Sequence, residues 1–490
     1  MFAGLNAQAL ELPEIFGNDM MLQQQTEARL WGWAKGGSTV EVLTSWNNQT
    51  YSAKADKKSG RWELKVQTPQ ASYDTHTVVV KGDGQELTLS NVLIGEIWFC
   101  SGQSNMEMPI NGFWNCPVQG SNETIAKANR YRGRIRCATI PKDDALEPQE
   151  RVGGKWQDCS MATVGSFSAN GYYFAETLTE ILDVPVGIIN CSWGGSCVEG
   201  WLPKEILLTY PDGLTPMDDT DYHRKMVMFN GMLNPLAGYT IKGFLWNQGE
   251  SNVGHEEEYI DRFQTMVNLW RKMWRQGDDK LPIYTVELPG YSYGDVNGTN
   301  CADFRVAQHK IAHLLENSGC VCTADLMLPY EAEQIHGAHK LEIGRRMAYL
   351  AATRDYGVQG LYSEAPEFER FVTVDANPND VKVVAGTAIT LNENEKGKVT
   401  KLYFSNCIEG FDRMYDIEGF EAAGADGVWH KAIVWADGDW QDKEYQGCYL
   451  KLVCPEVPDV KDVRYHYNNF SVGGLHNSHG LPVVPFTTRK

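Results

Sequence analysis

The sequence predicts an α/β protein: a parallel sheet with helices on both faces, flanked at either end by β-sandwich-like regions. Three observations predict it. Residues 93–355 alternate short apolar runs with amphipathic helical stretches, the pattern of a sheet covered on both faces. Residues 10–92 are short strands broken by turn signals every ten or so residues, and β signals return across 356–490. These three spans are the expected domains.

In the first span the strands are expected at Ala28–Ala34, Thr39–Thr44, Arg61–Val66, Thr77–Lys81 and Glu86–Ser90. The middle span offers apolar runs at Ile94–Cys100, Ile188–Ser192, Gly243–Asn247, Ile283–Leu288 and Cys320–Ala324. Between them lie helical patterns at Tyr172–Leu182, Glu257–Arg275 and Asp303–Glu316, with a last helix from Leu341 to Arg354. The third span carries strand patterns at Val381–Val384, Thr387–Leu391, Lys398–Phe404, Trp429–Val434, Tyr449–Cys454 and Val463–Tyr467, punctuated by Gly, Asp and Pro.

Composition narrows the function classes. The 490 residues carry a net charge of −19, spread along the chain, which argues against nucleic acid and anionic membrane surfaces as partners. No apolar run reaches the roughly 20 residues that span a bilayer, so membrane insertion is not expected. Fifteen tryptophans and 22 tyrosines suit sugar rings as well as cores and interfaces. The twelve cysteines contain no Cys-x-x-Cys pair, and buried free thiols are the simplest reading, with one or two disulfides if the protein is exported. Ala7-Gln8-Ala9 is like the cleavage site of a secretory signal, which points to export, although the basic start and full apolar stretch are missing. His309 and His313 stand four apart on a helix without an accompanying glutamate, so neither a metal nor an organic cofactor is expected.

Four segments fall where strands of the middle span end. Ile94–Cys100 runs into Ser101-Gly-Gln-Ser-Asn105, which presents a serine at the carboxyl edge of the sheet, as a nucleophile or as an ordinary capping residue. Ile189–Ser192 runs into Trp193-Gly194-Gly195, whose backbone N–H groups suit an oxyanion. Phe244–Asn247 runs into Gln248-Gly-Glu-Ser-Asn252, where an amide offers another donor or merely satisfies the turn. Glu333-Gln-Ile-His336 precedes the last helix, placing a histidine and an acid on the final loop.

Together these loops resemble the SGNH (GDSL-like) hydrolases, and within them the sialate O-acetylesterase family of carbohydrate esterases. Gly95–Trp98, Gly102–Met106, Phe167–Ala175, Pro185–Asn190, Trp193–Gly195, Asn230–Met232, Ile241–Gly243, Gln248–Asn252, Ile335–His336 and Lys340 carry the resemblance. Phe16–Leu22 with Trp31–Ala34, and Gly480–Pro482 with Pro485–Phe486, extend it to both ends of the chain. It implies a three-layer SGNH core supported by β-domains, and a hydrolase that removes acetyl groups from sialic acid or a related sugar in an exported compartment. It also implies Ser104 as nucleophile, His336 as base, the N–H groups of Ser104 and Gly195 as oxyanion hole, and the Gln248 side chain beside them. Two departures stand out. The family often carries Asp-Ile-His followed by Pro, where this chain has Gln334-Ile335-His336-Gly337; and Asn247 replaces a usual aromatic residue. The acid is then expected to be Glu333, with Gln334, a Ser–His dyad, Glu250 or Asp325 as the alternatives. An acetylated plant polysaccharide is the other substrate class, and a non-catalytic carbohydrate-binding protein the reading from a different class. The sequence does not indicate the oligomeric state.

Overall fold

A computed structural model describes residues 10–274, 280–376, 381–384, 387–390, 397–437 and 449–489. The signal-like Ala7–Ala9, Arg275 and Leu391 lie outside the described residues. The central sheet is built from β1 (Gln85–Gly102), β2 (Ile135–Thr139), β3 (Val186–Ser192), β4 (Gly243–Asn247), β5 (Ile283–Val286) and β6 (Ser318–Val321). Its order is β6-β5-β4-β1-β3-β2, all parallel, with Trp156–Asp158 antiparallel on the β2 edge. The helices around the sheet include α1 (Ser104–Glu107), α2 (Ala169–Leu182), α3 (Glu256–Trp274), α4 (Asn300–Leu314) and α5 (Lys340–Asp355), with two short ones at Ser121–Lys127 and Lys204–Leu207.

Residues of β1 alternate between two cores. Ile97 and Phe99 pack with Phe244, Trp270 and Trp274 on the α3–α4 face, while Trp98 and Cys100 pack with Ile188, Leu245 and Met347 on the α2–α5 face. Both faces must therefore be apolar, which is why the strand reads as a continuous hydrophobic run. Trp31, Trp33, Trp62, Trp98, Trp201, Trp246, Trp270 and Trp274 are all fully buried, so much of the tryptophan content serves the cores. The described cysteines are free thiols and most are buried.

The division expected between residues 92 and 93 falls inside β1. The expected strands Glu86–Ser90 and Ile94–Cys100 are one element, whose first half pairs antiparallel with Ser72–Gly82 and whose second half pairs parallel with β3 and β4. The amino-terminal region thus shares a sheet with the hydrolase core, and its Leu30, Trp31 and Val80 share the α3–α4 core. Met21–Gln23 and Gln49–Lys54 are strands that the sequence pattern did not mark. At the carboxyl end, two four-stranded antiparallel sheets enclose a separate core around Leu402, Phe420, Leu452 and Tyr465. The expected strand Trp429–Val434 is split there, Trp429–Lys431 joining one sheet and Ile433–Asp437 the other. Among the described residues, no helix is long and apolar enough to cross a membrane.

Two helices fix the site from below. The Ser168 hydroxyl caps α2 by accepting the Gly171 N–H at 3.2 Å. Helix α5 approaches α2 closely at Gly344, where an added Cβ would lie 2.5 Å from Tyr173 Cβ and 2.7 Å from the Phe174 nitrogen. Gly344→Val is therefore expected to destabilise the protein by about 1–3 kcal/mol through overpacking. Chemical denaturation checks this, and an unchanged midpoint would mean that the two helices part without cost.

Candidate active site

Three adjacent strands, β3, β1 and β4, end side by side and deliver three loops to one edge. Gly102 closes β1 at φ +130, and a Cβ there would lie 2.2 Å from the Asn247 carbonyl oxygen of β4, so only glycine fits. The chain then turns sharply: Gln103 N–H donates to Asn247 O at 3.0 Å, and Ser104 opens α1, half-buried. A serine at such a strand–turn–helix junction has its hydroxyl at the sheet edge. The Gln103 side chain reaches the third loop, its Oε1 accepting Gly249 N–H at 3.2 Å and Ser251 N–H at 3.4 Å.

The loop after β3 lies directly against this serine. An added Cβ on Gly194 would sit 3.3 Å from Ser104 Cβ, and Gly194 N–H donates to Glu107 Oε2 at 2.5 Å. Gly195 adopts φ +81 with the exposed Tyr222 ring packed on it, 2.6 Å from where a Cβ would stand. Among the described residues, the backbone N–H groups of Ser104 and Gly195 have no acceptor. Gln248, expected beside them as a direct oxyanion donor, is fully buried and its amide is already engaged. Its Nε2 donates to Ser196 O at 3.1 Å and Asn252 Oδ1 at 2.7 Å. Gln248 therefore holds the segment that follows Gly195.

Beneath Ser104, the side chain of Asn105 ties three loops together. Its Nδ2 donates to Glu250 Oε1 at 2.5 Å and to Ile335 O at 3.0 Å, and its Oδ1 accepts from Lys340 Nζ at 2.5 Å. All three side chains are buried. Burial raises the Glu250 carboxyl above its ordinary range against the pull of Asn105 and Lys340, and burial lowers Lys340 to about 8. Glu250 thus belongs to the scaffold under Ser104, and it has no hydrogen bond to His336.

The Asn105–Ile335 hydrogen bond sets the final loop against the turn that carries Ser104. His336 is half-buried there with Phe113 edge-on at 5.3 Å, its Nε2 buried without a partner, and Ser104 Oγ not bonded to it in this conformation. Its Nδ1 faces Cys116 Sγ at 3.7 Å. Burial, then the nearby Lys340 charge, push its pKa down to about 4. Among the described residues no carboxylate lies within hydrogen-bonding distance of the ring. Glu333 is exposed, because the loop turns Glu331 inward instead, where its carboxylate accepts Leu328 N–H at 2.7 Å. Asp325 is held by Arg346 at 2.6 Å and by His476 Nε2 at 3.0 Å, on the side facing the carboxyl-terminal region. His309 and His313 also part company: His309 pairs with buried Glu287 at 2.7 Å and His313 with Glu367 at 2.7 Å.

Sequence reasoning missed the roles of Asn105, Cys116 and Glu107. Asn105 and Lys340 stood inside quoted motifs, but nothing local said that they would meet. Cys116 lies 220 residues before His336, in a loop with no chemical pattern of its own.

A parallel sheet between helical layers, with a serine after its central strand and a histidine on the last loop, defines an SGNH-type hydrolase core. Residues 94–353, more than half of the chain, match the family model described as carbohydrate esterase, sialic acid-specific acetylesterase, and the chain belongs to that family. Human sialate O-acetylesterase is 28% identical over 278 residues, covering 53% of this chain and 52% of that protein. The chain thus spans about half the length of that relative. The mouse sialate O-acetylesterase is 25% identical over 409 residues, covering 71% of this chain and 74% of that protein. A solved carbohydrate acetylesterase from Xanthomonas citri matches with a TM-score of 0.82 at 28% identity, covering 98% of this chain and 100% of that one.

The engaged amide of Gln248 has a direct consequence. Gln248→Ala leaves the buried Ser196 carbonyl without a donor and removes one of the two N–H groups that Asn252 Oδ1 accepts, the other being that of Val198, and is expected to cost about 1–3 kcal/mol of stability. Thermal melts run beside kinetics check this; a normal melt with a large loss of turnover would return Gln248 to the oxyanion.

Proposed function

We propose that the protein hydrolyses acetyl esters on a carbohydrate through an acetyl-enzyme, with Ser104 as nucleophile and His336 as base. The observation that carries this reading is the pair of N–H donors without an acceptor, Ser104 and Gly195, on two loops that meet where Gly194 packs against Ser104. A neutral imidazole with an unoccupied Nε2 sits on the adjoining loop. As the acetyl group binds, the Ser104 hydroxyl attacks its carbonyl carbon and passes its proton to His336 Nε2. The two N–H groups receive the oxyanion, and His336 returns the proton to the sugar oxygen as the bond breaks. Water, deprotonated by the same histidine, then releases acetate. The serine–histidine hydrogen bond forms on substrate binding, as catalytic hydrogen bonds often do. A histidine with so low a pKa is a weak base, so the oxyanion donors carry a larger share of the barrier.

Sialic acid or a related sugar is the substrate class that the family's description and relatives favour, with an acetylated plant polysaccharide as the alternative. Acetate release from acetylated sialic acids against acetylated xylan separates the two.

Two outcomes test the mechanism. Ser104→Ala is expected to lower turnover of an acetate ester by about 10³-fold or more at an unchanged melting temperature. Activity within a few-fold of wild type would remove Ser104 from the reaction and favour a non-catalytic binding role for the fold. The second outcome is a pH profile. His336 works only when neutral; its pKa is depressed to about 4, so kcat/KM should hold steady as pH falls through 6 and drop only near 4. An acid limb at the ordinary histidine value would mean that the ring is solvated or paired with a carboxylate during turnover.

A further inference from the structure

We propose that Cys116 and Gln334 together position the imidazole of His336, occupying the place that a carboxylate holds in a Ser–His–acid triad. The proposal rests on the reading of His336 as the base. The Gln334 amide is oriented first, since its Nε2 donates to the Asn115 carbonyl at 3.3 Å and its Oε1 accepts the His336 backbone N–H at 3.2 Å. That leaves the Oε1 lone pairs as the only character Gln334 can present to Cys116, whose Sγ stands 3.4 Å away and donates its single hydrogen there. The sulfur, having given its hydrogen to Gln334, faces His336 Nδ1 at 3.7 Å as an acceptor. The proton of the neutral imidazole is thereby drawn to Nδ1, and the lone pair falls on Nε2, the nitrogen that must take the serine proton.

The opposite direction is disfavoured on the same geometry. If the thiol donated to Nδ1, the ring proton would sit on Nε2, which is buried with no acceptor among the described residues. A histidine in that tautomer could not deprotonate a serine.

A thiol and an amide do part of what a carboxylate does. They select the tautomer and fix the ring plane, with Phe113 packed edge-on from the same loop. They supply no negative charge to the imidazolium. The charged group that bears on the ring is Lys340 of α5, itself facing Glu250 across Asn105, and Glu333 points to solvent. Burial of the ring first, and then the Lys340 charge, depress the pKa of His336.

Three substitutions at Cys116, followed by kinetics on an acetate ester and by ¹⁵N NMR of labelled histidine, test the proposal. Cys116→Ala should lower kcat by about 10-fold or more with KM little changed, and should shift the His336 signal away from the Nδ1–H tautomer. Cys116→Ser, which can still accept from Nδ1 and donate to Gln334, should recover most of that loss. Cys116→Asp places a carboxylate at Nδ1 and should move the acid limb of kcat/KM up by at least about one pH unit. If Cys116→Ala keeps wild-type kcat, pH profile and tautomer, the proposal falls. It falls equally if Glu333→Gln costs about 10³-fold or more, since a carboxylate would then do this work. The NMR readout needs no activity: if His336→Ala remains active while the tautomer follows Cys116, the reading of His336 as base has failed and the positioning has not.

Discussion

The arrangement of this site depends on one buried side chain, Asn105. A carboxyl and an amino group, Glu250 and Lys340, are both removed from water beneath Ser104, where neither would stand uncompensated. An amide can meet both at once, since it carries a donor and an acceptor on one rigid plane. Its second N–H takes the Ile335 carbonyl, so the loop bearing the histidine is held by the same group that follows the serine in sequence. Aspartate would lose the donors and alanine everything, which makes the network specific to this residue type.

Glycine and glutamine do the remaining positioning. Gly102 lets β1 turn against the Asn247 carbonyl, and the Gln103 and Gln248 amides brace the loops on either side. The N–H groups of Ser104 and Gly195 are left without an acceptor while side chains engage the polar groups around them. Glu107, for example, takes the N–H of Gly194 and leaves that of Gly195 available. Electrostatic stabilisation by backbone groups requires this kind of prior commitment of everything nearby.

Much of this was legible in the sequence. The runs Ile94–Cys100, Ile188–Ser192 and Gly243–Asn247 read as buried strands because both faces are covered, and their small polar endings marked the loops that converge. Helix boundaries came within a few residues, as at Tyr172–Leu182 against the observed Ala169–Leu182. What the sequence concealed were relations between distant residues. The Nδ1 of His336 faces Cys116 from another loop, while Glu333, three positions away, faces solvent. Local spacing can suggest that an acid reaches a histidine; only the path of the loop decides which side chain turns inward. The continuity of β1 across residue 92 was hidden for a similar reason, since turn residues Ser90-Asn91 lie within a strand that does not end there.

That continuous strand also dictates the order in which the molecule can be assembled. The first half of β1 finds its partner in the segment just before it, Ser72–Gly82, as soon as both have been synthesised. Met21–Gln23 pairs parallel with Leu93–Gly95, but residues 96–102, which lead to the Ser104 turn, have no strand beside them until Val186–Ser192 and later Gly243–Asn247 have been made. During synthesis the apolar run Ile97–Cys100 therefore waits as an open edge, anchored at one end by a finished hairpin and unpaired at the other. The amino-terminal sheet acts as a template that holds the central strand extended until its neighbours arrive, so its contribution begins before the loops around Ser104 have anything to meet.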